Sequence, residues 1–222
     1  KIFPHRGFVD FGGDGRTDLA AIQNVNGQMI WHVLGLPGYS AFSFGLFDVD
    51  TPIPGHFDND LINDYVVWRK TTGTFYVYKS STSSVEIVPF GQDGDNPLVT
   101  QDFDGDGVAD FAVTRKQDGK LIWYVLQSTD GEVNIFQFGN DSDTPIRGDY
   151  DGDGKADPAV YRPQTGTPAN TFFVLRSSDQ SLQGTTFGLS EIDELVPNDF
   201  DGDGKTDFAV WRSTTGVWHL LK

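Results

Sequence analysis

Asp102-Phe-Asp-Gly-Asp-Gly-Val-Ala-Asp110, Asp149-Tyr-Asp-Gly-Asp-Gly-Lys-Ala-Asp157 and Asp199-Phe-Asp-Gly-Asp-Gly-Lys-Thr-Asp207 are three copies of one nine-residue formula. Aspartate at positions 1, 3, 5 and 9 gives a tight loop four carboxylates that converge: Asp102, Asp104, Asp106 and Asp110, then Asp149, Asp151, Asp153 and Asp157, then Asp199, Asp201, Asp203 and Asp207. Glycine at positions 4 and 6 supplies positive-φ turns that a side-chain-bearing residue resists. Position 7 (Val108, Lys155, Lys205) adds a backbone carbonyl. Such an oxygen cage suits a hard divalent cation, and its size and flexibility favour calcium over magnesium.

Two decayed copies precede these, Asp10–Asp18 and His56–Asp64. The first keeps Asp10, Asp14 and Asp18, with Arg16 at position 7, but has Gly12 at position 3. A water can replace the missing carboxylate, so a fourth calcium here is an open expectation. The second has His56 at position 1, and Asn59 and Leu61 where glycine belongs. Histidine is a poor calcium ligand and leucine resists a positive-φ turn, so this copy reads as a turn without calcium. Its His56 beside Asp58, Asp60 and Asp64 also admits a zinc reading, but a lone histidine among hard oxygens is more simply a loop residue. An EF-hand needs a bidentate Glu at position 12 and a following helix. Position 12 is instead Val113, Val160 and Val210, within short β-rich runs.

The formal net charge of −16 is explained by these loops, which hold 18 of the 32 acidic residues. No basic patch points to nucleic acid, and no apolar run approaches the ~20 residues of a membrane helix. The absence of cysteine excludes a disulfide scaffold and a thiolate metal site. Weak calcium loops work where calcium is near millimolar, so an extracellular or cell-surface location is expected. The start, Lys1-Ile-Phe-Pro-His, carries no signal-peptide pattern and reads as a mature product or an excised domain.

The copies begin at residues 10, 56, 102, 149 and 199, and far more than the loop recurs. Each loop is followed by an apolar run, a glycine turn, a second run and a third run. The third run ends in Phe-Gly four times, at Phe44-Gly45, Phe90-Gly91, Phe138-Gly139 and Phe187-Gly188. A Pro-led segment (Pro52, Pro97, Pro145, Pro197) then enters the next loop. Runs of this length, rich in β-branched and aromatic residues, are strands. Each unit is therefore a four-stranded meander with the loop between strands one and two. That period with four strands predicts an all-β, five-bladed β-propeller spanning residues 1–222 as a single domain. Lys1–Phe3 are expected to supply the strand missing from the last blade; a piece of a larger propeller fits the same pattern.

The Phe-Gly pairs, the Gly-Asp-Tyr-Asp-Gly-Asp-Gly loop and the Ala-Val-x-Arg strand together resemble the FG-GAP / VCBS repeat family, over essentially the whole chain. That family includes the calcium-bearing blades of integrin α-chain propellers and many secreted bacterial proteins. The resemblance implies a calcium-stabilised propeller with adhesion, ligand-binding or scaffold roles.

No Gly-x-Ser-x-Gly, Walker-type or His-Glu-x-x-His motif occurs, and most carboxylates are committed to the loops. A non-catalytic module binding a glycan or an extracellular protein is the leading expectation; the alternative is an accessory propeller of a polysaccharide-degrading enzyme. Arg69, Arg115, Arg162 and Arg212 each close the strand after a loop, and an ion pair to Asp50, Asp95 or Asp143 is their simplest role. Trp68, Tyr161 and Trp211 precede three of these arginines. They are either core between blades or sugar-stacking residues, and the second reading places a ligand on their face.

Overall fold

The computed structural model describes residues 9–13, 18–34, 40–60, 62–164, 169–189 and 192–222. Among them every regular element is a strand, so no helix is present that could cross a membrane. The strands form five antiparallel sheets, each an open meander that does not close on itself. The first sheet is β1 (Leu19–Val25), β2 (Gln28–Leu34) and β3 (Ser40–Leu46). The second is β4 (Asp50–Pro52), β5 (Tyr65–Arg69), β6 (Thr74–Tyr78) and β7 (Val85–Pro89). The third is β8 (Phe111–Gln117), β9 (Lys120–Leu126) and β10 (Val133–Asn140), extended by a bridge between Asn96 and Thr114. The fourth is β11 (Thr144–Ile146), β12 (Ala159–Pro163), β13 (Ala169–Leu175) and β14 (Leu182–Leu189), and the fifth β15 (Asp193–Leu195), β16 (Phe208–Arg212) and β17 (Val217–Leu221).

Sequence period and sheet order agree in the second and fourth sheets, with a short strand, the acidic loop, then three longer strands; the third has a bridge for its short strand, and the fifth has two strands after its loop. The expected edge strand from Lys1–Phe3 lies outside the described residues.

Alternation along the central strands explains the packing. In β5 and β6 both faces are largely buried, which requires cover on two sides. Four hydrophobic clusters provide it, and each joins consecutive sheets. Trp31 and Met29 of the first sheet pack with Val67 of the second; Trp68, Phe75 and Val77 pack with Val113 of the third. Trp123 and Leu121 pack with Val160 of the fourth, and Phe172 and Tyr161 with Phe208 and Val210 of the fifth.

The Phe-Gly pairs sit at these seams. Gly45, Gly91, Gly139 and Gly188 have φ of +97°, +115°, +97° and +81°. A Cβ on Gly45 would come within 2.9 Å of Val67, on Gly139 within 3.0 Å of Val160, and on Gly188 within 3.1 Å of Val210. Each valine belongs to the next sheet. The preceding phenylalanine offers its carbonyl to an indole N–H: Trp31 to Phe44 at 2.8 Å, Trp68 to Phe90 at 3.2 Å and Trp123 to Phe138 at 2.8 Å.

Candidate metal centre

The acidic loops form one connected row. The amide at position 8 of each loop donates to the carbonyl at position 1 of the loop before: Asn63 to Asp10, Ala109 to His56, Ala156 to Asp102 and Thr206 to Asp149, at 2.6–2.7 Å. A Cβ on Gly105 or Gly152 would stand 2.9 Å from the side chain of Lys155 or Lys205, which reaches back from the following loop. Position 4 is thus glycine for two reasons, its φ and the neighbour lying across it.

Inside each intact loop the backbone wraps the carboxylates as the sequence predicts. Gly105, Gly107, Gly152, Gly154, Gly202 and Gly204 all have φ between +78° and +88°. In loop three Gly105 and Gly107 donate to the two oxygens of Asp102 at 2.6 and 2.8 Å, and Phe103 donates to Asp110 at 2.8 Å. Loop four repeats this with Gly152 and Gly154 on Asp149 and Tyr150 on Asp157. Loop five repeats it with Gly202 and Gly204 on Asp199 and Phe200 on Asp207.

These turns gather Asp102, Asp104 and Asp110, then Asp149, Asp151 and Asp157, then Asp199, Asp201 and Asp203; in each trio one oxygen per residue lies within 4.8 Å of the others. Oxygens facing each other across a calcium ion with bonds of 2.3–2.6 Å are at most about 5 Å apart, so each trio fits on one coordination sphere. The donors are all hard oxygens, which also suits that ion. Asp106, Asp153 and Asp207 fall outside the trios. The amides of Val108, Lys155 and Lys205 donate to the position-5 aspartate. Of the weaker candidates, Asp10 and Asp18 are buried, while Asp14 and Arg16 lie outside the described residues.

Electrostatics point the same way. Asp110 and Asp157 are fully buried. Burial pushes both carboxyl groups above the ordinary range despite N–H donors from Ser128, Phe103, Ser177 and Tyr150, and Asp104 or Asp151 adds repulsion. Burial likewise raises Asp102. In Asp199 burial is outweighed by backbone donors, chiefly Gly202 and Gly204, and its carboxyl is held low. Among the described residues no ion pair reaches Asp110 or Asp157, and a buried charge without a partner is costly.

A second set of residues meets the loops, and the repeat pattern does not announce it. Ser128 donates to Asp106 at 3.0 Å through its hydroxyl and to Asp110 at 2.7 Å through its amide; Thr129 donates to Asp106 at 3.0 Å. Ser177 and Ser178 do the equivalent for Asp153, Asp157 and Asp151. Both pairs occupy the turn between strands three and four. Loop two, without glycines, is the most tightly closed. Ser80 Oγ reaches Asp60 at 2.7 Å and Asp64 at 2.9 Å, and Ser81 Oγ reaches Asp58 at 2.6 Å. Loops three and four carry equivalent hydroxyl contacts, so these contacts alone do not set loop two apart. Loop five meets Lys222 instead, with Nζ 3.4 Å from Asp201.

The arginines form the expected ion pairs. Arg69, Arg115 and Arg162 make two-pronged contacts of 2.7–2.9 Å to Asp50, Asp95 and Asp143. A fourth pair joins Arg212 to Asp193 at 2.7 and 3.0 Å. Asp193 escaped the sequence pattern because no proline follows it two residues later. Each aspartate also accepts the amide after Phe-Gly, from Leu46, Gln92, Asn140 or Leu189, at 2.8–2.9 Å. One carboxylate thus links the edge of one sheet to the next. Three of the guanidinium groups stack 4.5–4.6 Å from the ring of Tyr76, Tyr124 or Phe173.

Two of the three aromatic ligand candidates lie inside the fold. Trp68 and Tyr161 are 1% and 6% exposed, Trp68 spends its indole N–H on Phe90, and Tyr161 accepts from Asn170 at 2.7 Å. Both belong to the packing between sheets, which removes the ring face a sugar would need; a shallow groove beside Trp68 includes Lys70, Asp93 and Asn96 in its lining. Trp211 is half-buried opposite Trp218. No family model matches this chain, and no curated protein matches it in sequence.

Proposed function

We propose that the chain is a calcium-stabilised, non-catalytic binding or adhesion module of the FG-GAP / VCBS type, built as a five-bladed β-propeller, with a glycan or an extracellular protein as ligand. The observation that carries it is the threefold recurrence of a carboxylate trio of calcium-compatible spacing, each wrapped by the same positive-φ glycines. Calcium supplies the positive charge that Asp110 and Asp157 lack.

Three features favour a ring. Each sheet packs on its successor through the same pair of faces, four times in succession. The segments before loops two to five border one cavity, as they would in a row of units curving about an axis. The faces left over are mates by the same rule. Trp31, Phe75, Trp123 and Phe172 are fully buried, whereas their counterpart Trp218 is 45% exposed; Leu19 on the opposite side of the first sheet is 61% exposed. Closure of the first sheet on the fifth covers both.

A glycan array and a pull-down from extracellular medium, each run with and without calcium, test the functional reading. Calcium-dependent capture of a glycan or a protein supports it. Turnover of polysaccharides by the isolated chain, with no stable capture, contradicts it.

A further inference from the structure

The cavity bordered by units two to five has a volume of about 280 Å³ and lies beside the acidic loops. Its wall is where the repeat breaks down. The two residues ahead of each loop are Pro54-Gly55, Thr100-Gln101, Arg147-Gly148 and Pro197-Asn198. The four pairs differ in charge and hydrogen-bonding character. Differing side chains on a shared rigid frame are where recognition resides.

Two polar atoms in this wall are buried and find no hydrogen-bond partner among the described residues: Gln101 Nε2 and His56 Nε2. Gln101 holds its carbonyl oxygen 3.1 Å from the Gly148 amide, which fixes the carboxamide with its NH2 group unspent. Arg147 lies in the same wall, steadied by Nη1 donating to the Thr100 carbonyl at 3.1 Å. Gly148 lets Thr206 and Tyr150 pack directly against this part of the wall, since a Cβ there would stand 2.7 Å from each. A buried carboxamide NH2 left without a partner is rare and asks for an acceptor; His56 Nε2 can donate beside it in its Nε2–H tautomer. A guanidinium beside a carboxamide NH2 matches a carboxylate, and the volume holds a molecule the size of one sugar acid.

We infer that this cavity binds a small carboxylate, held by Arg147, Gln101 and His56, and that its affinity is coupled to calcium. The coupling rests on the calcium reading. Asp102, Asp149 and Asp199 line the cavity and also head the three intact loops. Metal-free loops surround the mouth with negative charge that repels an anion; calcium halves the charge of each four-aspartate loop and so weakens that repulsion, and linkage makes the effect mutual.

The test is titration of isotope-labelled protein with glucuronate, followed by amide and side-chain chemical shifts, with glucose as the uncharged control. Expected are saturable shifts at the Gln101 carboxamide in calcium, at least tenfold weaker binding in chelator, and no saturation by glucose. Arg147→Met and Gln101→Leu should each weaken glucuronate at least tenfold while an independent calcium titration still counts the wild-type number of sites. Absence of saturation in the calcium-loaded protein, or affinity untouched by both substitutions, overturns the cavity site even where calcium binds normally. If the loops take up no calcium and glucuronate still saturates through Arg147, the cavity site stands and the coupling is overturned.

Discussion

Gly139 and Gly119 separate two costs of placing a side chain at a positive-φ position. Gly119, in a hairpin turn with φ +76°, has open space where a Cβ would go, so Gly119→Ala should cost only about 1 kcal/mol of backbone preference. Gly139 has φ +97° and would press a methyl against Val160 and Asp143. Gly139→Ala should cost about 2–4 kcal/mol, strain and overpacking together, read from denaturant unfolding in calcium. Equal effects would mean that Phe-Gly is not a seam between sheets. The ion pairs give a second prediction at this scale. Asp95 has no exposed side-chain surface, and Arg115 is about a quarter exposed. Arg115→Met should therefore cost about 2 kcal/mol, below the 3–5 of a fully buried pair. Asp193 is held below its ordinary 3.8 by Arg212, which outweighs burial. On acidification the unfolded carboxylate takes up its proton first. The stability from this pair is therefore full above the unfolded value and is lost as pH falls through the folded one. The gap in stability between wild type and Asp193→Asn should stay level from about pH 8 to 5 and shrink below about pH 4; a gap that widens there would contradict the sign.

At the scale of elements, the loops were legible because a nine-residue cage is local: ligand spacing and glycine positions are fixed by the chain itself. The caps were not. Ser80, Ser128 and Ser177 follow the ninth loop residue by 16, 18 and 20 positions, because the intervening hairpins differ in length and blur any fixed offset. The fate of Trp68 and Tyr161 was also hidden, since alternation along a strand tells which residues share a face but not what covers it. Asp104→Ala, Asp151→Ala and Asp201→Ala should each remove one calcium from a calorimetric count and leave the others. Loop two offers the converse experiment. Replacing His56 with Asp and both Asn59 and Leu61 with Gly restores the formula, and one additional site should titrate. Failure to gain a site would show that the nine-residue formula alone is not sufficient for calcium binding.

For the whole molecule, the repeat and its strand content were readable from residue spacing, whereas ring closure depends on contacts between the ends of the described chain. Trp218 reports on it. If the first sheet covers the fifth in solution, Trp218→Ala should cost about 3–5 kcal/mol, as removal of a buried tryptophan does; on an open row the effect should stay within about 1 kcal/mol. If the row closes, calcium and closure act together, because each loop is hydrogen-bonded to the one before it. At free calcium about tenfold above Kd each site contributes about 1.4 kcal/mol, so three sites give roughly 4 kcal/mol, a large share of the ~5–15 kcal/mol that holds a domain folded. The most direct measurement is a calorimetric calcium titration of exhaustively chelated protein, paired with thermal unfolding of the same samples. At least three sites and a melting temperature that rises with calcium are predicted; no titrating sites and a melting temperature indifferent to chelator would contradict the account.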